Sequence, residues 1–408
     1  MSALAQQTRR QRVRRSAGRW LVLIAATALV WPAHTDWPTV VILPALSPFV
    51  ALASATSEHI VSLLALPVAL LSLCYPRWFC RHGCPVGLLQ ELLARFRPRG
   101  AARRLRLPRL GVLLVLATFG GACLGYPLLL WLDPLAIFNG FLNAWRTPSA
   151  VSSLAAGMAL PLLLLLDLAL PRLWCRRICP LGATQDLLVW PRRLLRRRSP
   201  HEGAARAPES PRPFRARRQF LAVCAGAAGA LTVRTAGGQT TAVLRPPGSL
   251  GEDSFAGVCV RCGNCAQACP SGIIRPDFGA SGALGFLTPR LSFQEDYCRE
   301  DCRRCGQVCP SGAIARLTLD EKRRHVIGPA VVDLETCLLA QGRECTACIR
   351  RCPYGAIAMR SADGGFSNEP AVDPAKCNGC GACEAICPVR PARAIGVQAR
   401  PNLAARAR

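Results

Sequence analysis

Negative charge is scarce in this chain, and scarcest where the chain is most apolar. The 408 residues include 24 Asp and Glu against 51 Lys and Arg, and only 8 of the acids fall in residues 1–245, beside 31 basic residues. That imbalance excludes a surface of evenly alternating ion pairs for this half. Residues 246–408 are nearer balance, with 20 basic and 16 acidic residues. Tryptophan is missing after Trp190, so all 8 lie in the first half. The basic clusters flank apolar stretches, so orientation in a bilayer explains the +27 charge better than nucleic-acid binding does, and no nucleic-acid partner is expected. Also absent are the two separated ligand pairs that close a structural zinc site.

Cysteine, by contrast, is abundant. Sixteen of the 23 fall in four consecutive runs: Cys259, Cys262, Cys265, Cys269; Cys298, Cys302, Cys305, Cys309; Cys337, Cys345, Cys348, Cys352; and Cys377, Cys380, Cys383, Cys387. Each run ends in Cys-Pro. The first and last have the C-x2-C-x2-C-x3-C-P spacing of bacterial ferredoxins, in which three thiolates hold one cubane and the fourth reaches a neighbouring one. The spacing predicts four [4Fe-4S] clusters and leaves open which runs pair.

Four apolar stretches, roughly Ala17–His34, Ala55–Tyr75, Leu110–Trp131 and Val151–Trp174, read as membrane spans with interfacial tryptophans at their ends. Arginine clusters at Arg9–Arg15, Arg95–Arg106 and Arg192–Arg198 put both ends of this half in the cytoplasm. The expected fold is therefore an α-helical membrane bundle of four spans followed by an α+β polyferredoxin domain. The expected domains are 1–198, a linker at 199–245 and 246–408. The localisation expected is multi-pass in a bacterial inner membrane, with the ferredoxin domain in the periplasm.

The first half is duplicated. Pro76-Arg77-Trp78-Phe79-Cys80-Arg81-His82-Gly83-Cys84-Pro85 recurs 95 residues later as Pro171-Arg172-Leu173-Trp174-Cys175-Arg176-Arg177-Ile178-Cys179-Pro180. Gln90-Glu91-Leu92-Leu93 matches Gln185-Asp186-Leu187-Leu188, and Leu46-Ser47-Pro48-Phe49 rhymes with Leu132-Asp133-Pro134-Leu135. Parallel repeats pack about an axis along the membrane normal, which could join Cys80, Cys84, Cys175 and Cys179 as ligands of a fifth cluster. Two redox-active dithiols, or simple helix-capping turns, are the alternatives. Cys74, Cys123 and Cys224 read as buried small hydrophobes. Arg217-Arg218-Gln219-Phe220-Leu221, before an Ala/Gly-rich run, reads as a twin-arginine export signal or the flank of a fifth span.

The paired CxxxCP motifs on four helices resemble the membrane quinol-dehydrogenase subunit of periplasmic nitrate reductase systems. The four-run domain behind Arg217-Arg218 is similar to the exported four-cluster ferredoxin subunit of those systems and to methylamine-utilisation ferredoxins. The resemblance implies quinol oxidation, with electrons passed to a periplasmic c-type cytochrome or a molybdenum or haem reductase. The pair of ferredoxin runs that usually follows the fourth helix of the membrane subunit is replaced here by the linker.

Quinol oxidation needs a proton acceptor. Asp167 interrupts an apolar run near Cys175, while Asp133, His34 and His59 fall together on the opposite, outer side of the expected bundle. These four are the candidate catalytic residues. Two rival functions stay open: an electron donor or scaffold for metalloenzyme maturation, and a redox protein whose clusters face the cytoplasm and draw on soluble ferredoxin.

Overall fold

The computed structural model describes residues 3–30, 39–53, 60–94, 108–146, 155, 157–192, 213–236, 242–362 and 367–399. Packing divides the chain into two units. The first comprises Met1–Ala236 with Gly257–Cys262 and Pro310–Gly312; the second comprises Gly237–Ala256, Gly263–Cys309 and Ala313–Arg408.

In the first unit the sequence folds into α1 (Ala3–Val30), α2 (Thr39–Ala45), α3 (Pro48–Ala53), α4 (Leu66–Cys74), α5 (Trp78–His82), α6 (Pro85–Leu93), α7 (Leu110–Cys123), α8 (Pro134–Arg146), α9 (Ala159–Ala169), α10 (Pro180–Leu188) and α11 (Pro213–Ala236). The expectation of a four-span membrane bundle is overturned. Among the described residues no helix is long and apolar enough to cross a membrane. The apolar stretches are cut too short: α4 has 9 residues, α7 has 14 and α9 has 11. At 1.5 Å per residue these reach about 14, 21 and 17 Å, against a hydrocarbon core of about 30 Å.

Proline does much of the cutting. Tyr75 and Leu170 leave the helix in extended conformation just before Pro76 and Pro171, because the proline ring disfavours a helical residue ahead of it. Helices α1 and α11 are longer but carry Arg9 to Arg19 and Arg215 to Arg218. The multi-pass inner-membrane localisation and the inside and outside assignment of loops lose their basis with the spans. Several leucines that were to face lipid, Leu66 and Leu70 on α4 and Leu162 and Leu165 on α9, are exposed.

The internal repeat survives in three dimensions. Units α4–α5–α6 and α9–(Trp174–Ile178)–α10 correspond, the Trp174–Ile178 turn being wound as a π-helix where α5 is an α-helix. Each motif opens on an arginine in the left-handed region, Arg77 at φ 54° and Arg172 at φ 53°. One core holds the mates side by side: Val68 and Leu163, Phe79 and Trp174, Cys84 and Cys179, Val86 and Leu181. Each pair is offset by the same 95 residues as the sequence repeat. Burying such a side chain contributes about 1.5–3 kcal/mol.

The second unit has little regular structure. Three antiparallel ribbons pair β1 (Ile274–Pro276) with β2 (Pro289–Leu291), β3 (Ala330–Val332) with β6 (Ile395–Val397), and β4 (Ile357–Ala362) with β5 (Ser367–Val372). Short helices at Asn264–Ala268, Arg304–Gln307, Ala347–Arg351 and Ala382–Ile386 each lie inside a cysteine run. Three of them stop at the fourth cysteine, Cys269, Cys352 or Cys387, just ahead of its proline. Cysteines take much of the interior: Cys337, Cys383 and Cys387 pack with Ile357 and Ile395, and Cys269, Cys298 and Cys305 against Ile274, Leu291 and Phe293.

Candidate functional site

In the second unit the runs are interleaved. Cys269, the last cysteine of the first run, lines a pocket with Cys298, Cys302 and Cys305 of the second. Cys352, the last of the third run, lines one with Cys377, Cys380 and Cys383 of the fourth. Cys387 returns the exchange in a pocket with Cys337, Cys345 and Cys348. Adjacent runs therefore pair, which the spacing had left open. Cys259 and Cys262 belong to the first unit and Cys265 and Cys309 to the second.

The electrostatics of these cavities call for a cation. Burial, helped by neighbouring thiolates, pushes the Cys305 and Cys380 thiols up to about 12 and Cys348 up to about 11. Burial also lifts Cys298 to about 11, with the ammonium of Lys322 pulling the other way. Lys322 is only 3% exposed and its Nζ donates to the Arg299 carbonyl, so a positive charge is fixed beside this quartet. Four cysteines drawn from two runs at each of these sites fit an iron–sulfur cubane. Among the described residues no three Cys, His, Asp or Glu groups converge closely enough to hold a single metal ion; a four-iron cage spans a wider set of thiolates than one ion with sulfurs at about 2.3 Å.

Two of the quartets are directly linked. The Cys298 N–H donates to the Cys380 carbonyl at 2.9 Å. Around this bond Arg351 lies over the Tyr297 ring at 5.0 Å and Arg393 Nη2 donates to the Gln294 carbonyl at 3.0 Å. The Tyr354 hydroxyl is in the field of both Cys298 and Cys380.

In the first unit the two CxxxCP motifs meet. Cys80, Cys84, Cys175 and Cys179 lie in one another's electrostatic reach, and all four thiols are pushed up by burial first and by their neighbours in part, Cys84 to about 11 and Cys179 to about 12. Cys84 and Cys179 cap the N-termini of α6 and α10, where backbone N–H groups of Val86 and Gly87, and of Gly182, point at their sulfurs. Helix N-termini favour negative charge. Gly111 of α7 packs so tightly on the second motif that a Cβ there would meet the Ile178 and Cys179 carbonyls at 2.9 and 3.0 Å.

Arginines complete the surroundings. Arg77 Nη2 and Nε donate to Asp186 Oδ2 at 2.7 and 3.0 Å, and Nη1 to the Cys175 carbonyl at 3.0 Å. Its charge is felt by Cys80 and Cys179, and that of Arg19, paired with Glu91, by Cys84. All 23 cysteines are free. Reactive dithiols need a lowered thiol pKa; all four thiols here are raised instead, which disfavours that reading of the motifs.

The candidate acids are redistributed. Asp133 was expected on the side opposite the cysteines; it is wholly buried within the field of Cys84 and Cys179. Its Oδ1 accepts from Ser47 Oγ at 2.5 Å and its Oδ2 from Leu135 and Ala136 N–H, and burial lifts its pKa to about 6. Asp167, also buried, accepts the Arg172 N–H at 2.7 Å and so holds the left-handed turn that opens the second motif. His34 and His59 lie outside the described residues. Cys74, Cys123 and Cys224 are exposed rather than buried, because the helices carrying them turn those positions outward.

The sequence reading gave no functional role to Gln90, Gln185, Arg77 or Lys322. The signal for the glutamines was present: two amides at matched repeat positions in otherwise apolar helices.

Comparison with known proteins agrees with the chemistry. The 4Fe-4S dicluster domain family matches residues 258–313 and 342–390, and a 4Fe-4S binding domain family matches 59–104 and 150–198, one CxxxCP motif in each segment. The methylamine utilization ferredoxin-type protein MauM of Methylobacillus flagellatus is 35% identical over 177 residues, 42% of this chain and 75% of its own. The ferredoxin-type protein NapG of Escherichia coli is 37% identical over 202 residues, 44% of this chain and 84% of its own. The ferredoxin-type protein NapF of the same organism is 35% identical over 146 residues, 36% and 80%. No solved structure matches. With runs of this spacing and relatives covered over most of their length, the chain belongs to the MauM and NapG family of ferredoxin-type iron–sulfur electron-transfer proteins.

Proposed function

We propose that the protein accepts electrons from a quinol and delivers them through four [4Fe-4S] clusters in the ferredoxin half to a c-type cytochrome or a reductase, with a fifth cluster held by Cys80, Cys84, Cys175 and Cys179. The observation that carries this reading is the interleaving of adjacent runs joined by the Cys298 to Cys380 backbone hydrogen bond. Thiolates at one cavity are thereby one peptide hydrogen bond from those at the next.

Cys269 with Cys298, Cys302 and Cys305 would hold one cluster, Cys352 with Cys377, Cys380 and Cys383 a second, and Cys387 with Cys337, Cys345 and Cys348 a third. Bound there, such clusters supply one-electron transfer with little rearrangement. Lys322 beside Cys298, and Arg77 and Arg19 beside the CxxxCP quartet, offset the negative charge of thiolate-ligated iron.

Each quinol gives up two electrons and two protons. Asp133, whose carboxyl is lifted to about 6 within reach of the Cys84 and Cys179 sulfurs, is the group that holds a proton there. Asp167 positions the second motif through Arg172. The name of the MauM relative makes methylamine utilization one setting for such a carrier.

Anaerobic purification, followed by iron determination and EPR of the reduced protein, tests the reading. About sixteen irons per chain correspond to four cubanes and about twenty to five. Rapid bleaching of the cluster absorbance by a reduced quinol is expected. An iron-free protein, or zinc in these positions, would sink the proposal; full iron loading with no reduction by any quinol would remove the quinol step alone.

A further inference from the structure

Two buried amides face the CxxxCP quartet, each reaching across the repeat. Gln185, on the second repeat, donates from Nε2 to Cys80 Sγ of the first at 3.3 Å. Gln90, on the first, meets Cys175 Sγ of the second at 2.7 Å through Oε1. Gln185 is fully buried and Gln90 is 3% exposed. The remaining atom of each amide, Gln90 Nε2 and Gln185 Oε1, is buried with no hydrogen-bond partner. A buried amide left half satisfied costs about 1–3 kcal/mol, so these positions ask for a reason beyond packing.

With Cys175 as a thiol, its S–H donates to Gln90 Oε1. Once Cys175 is a thiolate ligand it has no proton to give, and Oε1 would face a sulfur lone pair. A half-turn about χ3 exchanges the two ends of the amide, brings the unpartnered Nε2 onto the sulfur and reproduces the Gln185–Cys80 contact. The 95-residue repeat then becomes symmetric in its hydrogen bonds as well as its cysteines.

We propose that Gln90 and Gln185 are positioning residues that donate N–H···S hydrogen bonds across the repeat to Cys175 and Cys80, and that these two bonds raise the reduction potential of the cluster held by the quartet. The inference rests on the fifth-cluster reading. Hydrogen bonds to the sulfurs are among the determinants of iron–sulfur potential. They stabilise the more negative, reduced state over the oxidised one.

The test is an EPR-monitored redox titration of the full-length protein carrying Gln90→Glu, Gln185→Glu or both, with iron determined on the same samples. Glutamate keeps the shape and replaces the donor by an acceptor. The midpoint of the CxxxCP cluster is expected to fall in each single variant and further in the double, at unchanged iron content, with the ferredoxin signals unmoved. Thr118→Val, which removes another buried side-chain donor of this unit, is expected to leave every midpoint in place. An unchanged or raised midpoint in the glutamate variants overturns the proposal. Should the added charge expel the cluster, seen as a loss of about four irons per chain, the neutral Gln90→Leu and Gln185→Leu variants decide. A lowered midpoint with iron retained supports the proposal, and an unmoved midpoint or a second loss of iron overturns it. Failure of the fifth-cluster reading shows separately, as parent protein with only about sixteen irons.

Discussion

Ser47 Oγ donates a 2.5 Å hydrogen bond to Asp133 Oδ1, and the two residues are each other's repeat mates, Leu46-Ser47-Pro48 facing Leu132-Asp133-Pro134. A polar pair thus sits at a wholly buried point where the two halves of the duplicated unit touch. The asymmetry matters: one mate can ionise, and the carboxylate is felt by one cysteine from each motif, Cys84 and Cys179.

That pair gives a pH signature. Asp133 is lifted from 3.8 to about 6 by burial, so between these values the folded state binds more protons than the unfolded one. Stability then falls as pH rises through this window. The contribution is fully present below about pH 4 and lost above about pH 6, with a ceiling of about 3 kcal/mol for a two-unit shift. Asp133→Asn, which keeps the acceptor for Leu135 and Ala136 N–H, is expected to flatten this slope. Urea unfolding of both proteins between pH 4 and 7 measures it, and an equal slope in the two would rule the assignment out.

Arg77 carries a left-handed backbone, a forked contact to Asp186 and a bond to the Cys175 carbonyl. Replacing it by methionine strands a mostly buried Asp186 and is expected to cost about 2–4 kcal/mol. Arg77→Lys keeps the charge without the fork and should recover only part of this. Adding Asp186→Leu to Arg77→Met should recover most of it. A double-mutant cycle by chemical denaturation reads the coupling, and additive effects would show the pair to be independent.

Gly381 precedes the Ala382–Ile386 helix at φ 82°, and a Cβ there would lie 2.2 Å from the ring of the buried Phe293. Gly381→Ala is expected to destabilise by more than about 2 kcal/mol, from the left-handed conformation plus the clash. Phe293→Leu in the same chain should return part of the clash term and none of the conformational one. Thermal unfolding of the iron-loaded protein, with iron counted before and after, distinguishes the two contributions.

Sharing of cysteines between the third and fourth runs has a genetic signature. Cys387→Ser and Cys345→Ser strike one cavity, so each alone and both together should remove about four irons. Cys387→Ser with Cys380→Ser strikes two and should remove about eight. If each run kept its own cluster the outcomes of the two double variants would be exchanged, and metal analysis of the four proteins is enough to tell.

Much of this chemistry is local in the chain. Spacing among Cys377, Cys380 and Cys383 sets three thiolates on one short turn, so ferredoxin character is written in the sequence. The CxxxCP repeat, with Gln90 against Gln185 and Ser47 against Asp133, also lies open to a reader who aligns the halves. Reading four membrane spans went wrong because mean apolarity over a stretch takes no account of where prolines such as Pro76 and Pro171 stop a helix.

The sequence alone determined the kind of metal chemistry and the existence of two homologous halves, since both depend on residues a few positions apart or on repeated strings. Only tertiary structure decided that Cys269 joins Cys298 while Cys387 joins Cys337, that Cys298 and Cys380 are bonded neighbours, and that Asp133 lies by the CxxxCP thiols. Those relations are set by how buried side chains pack, and packing brings together groups that no local periodicity connects.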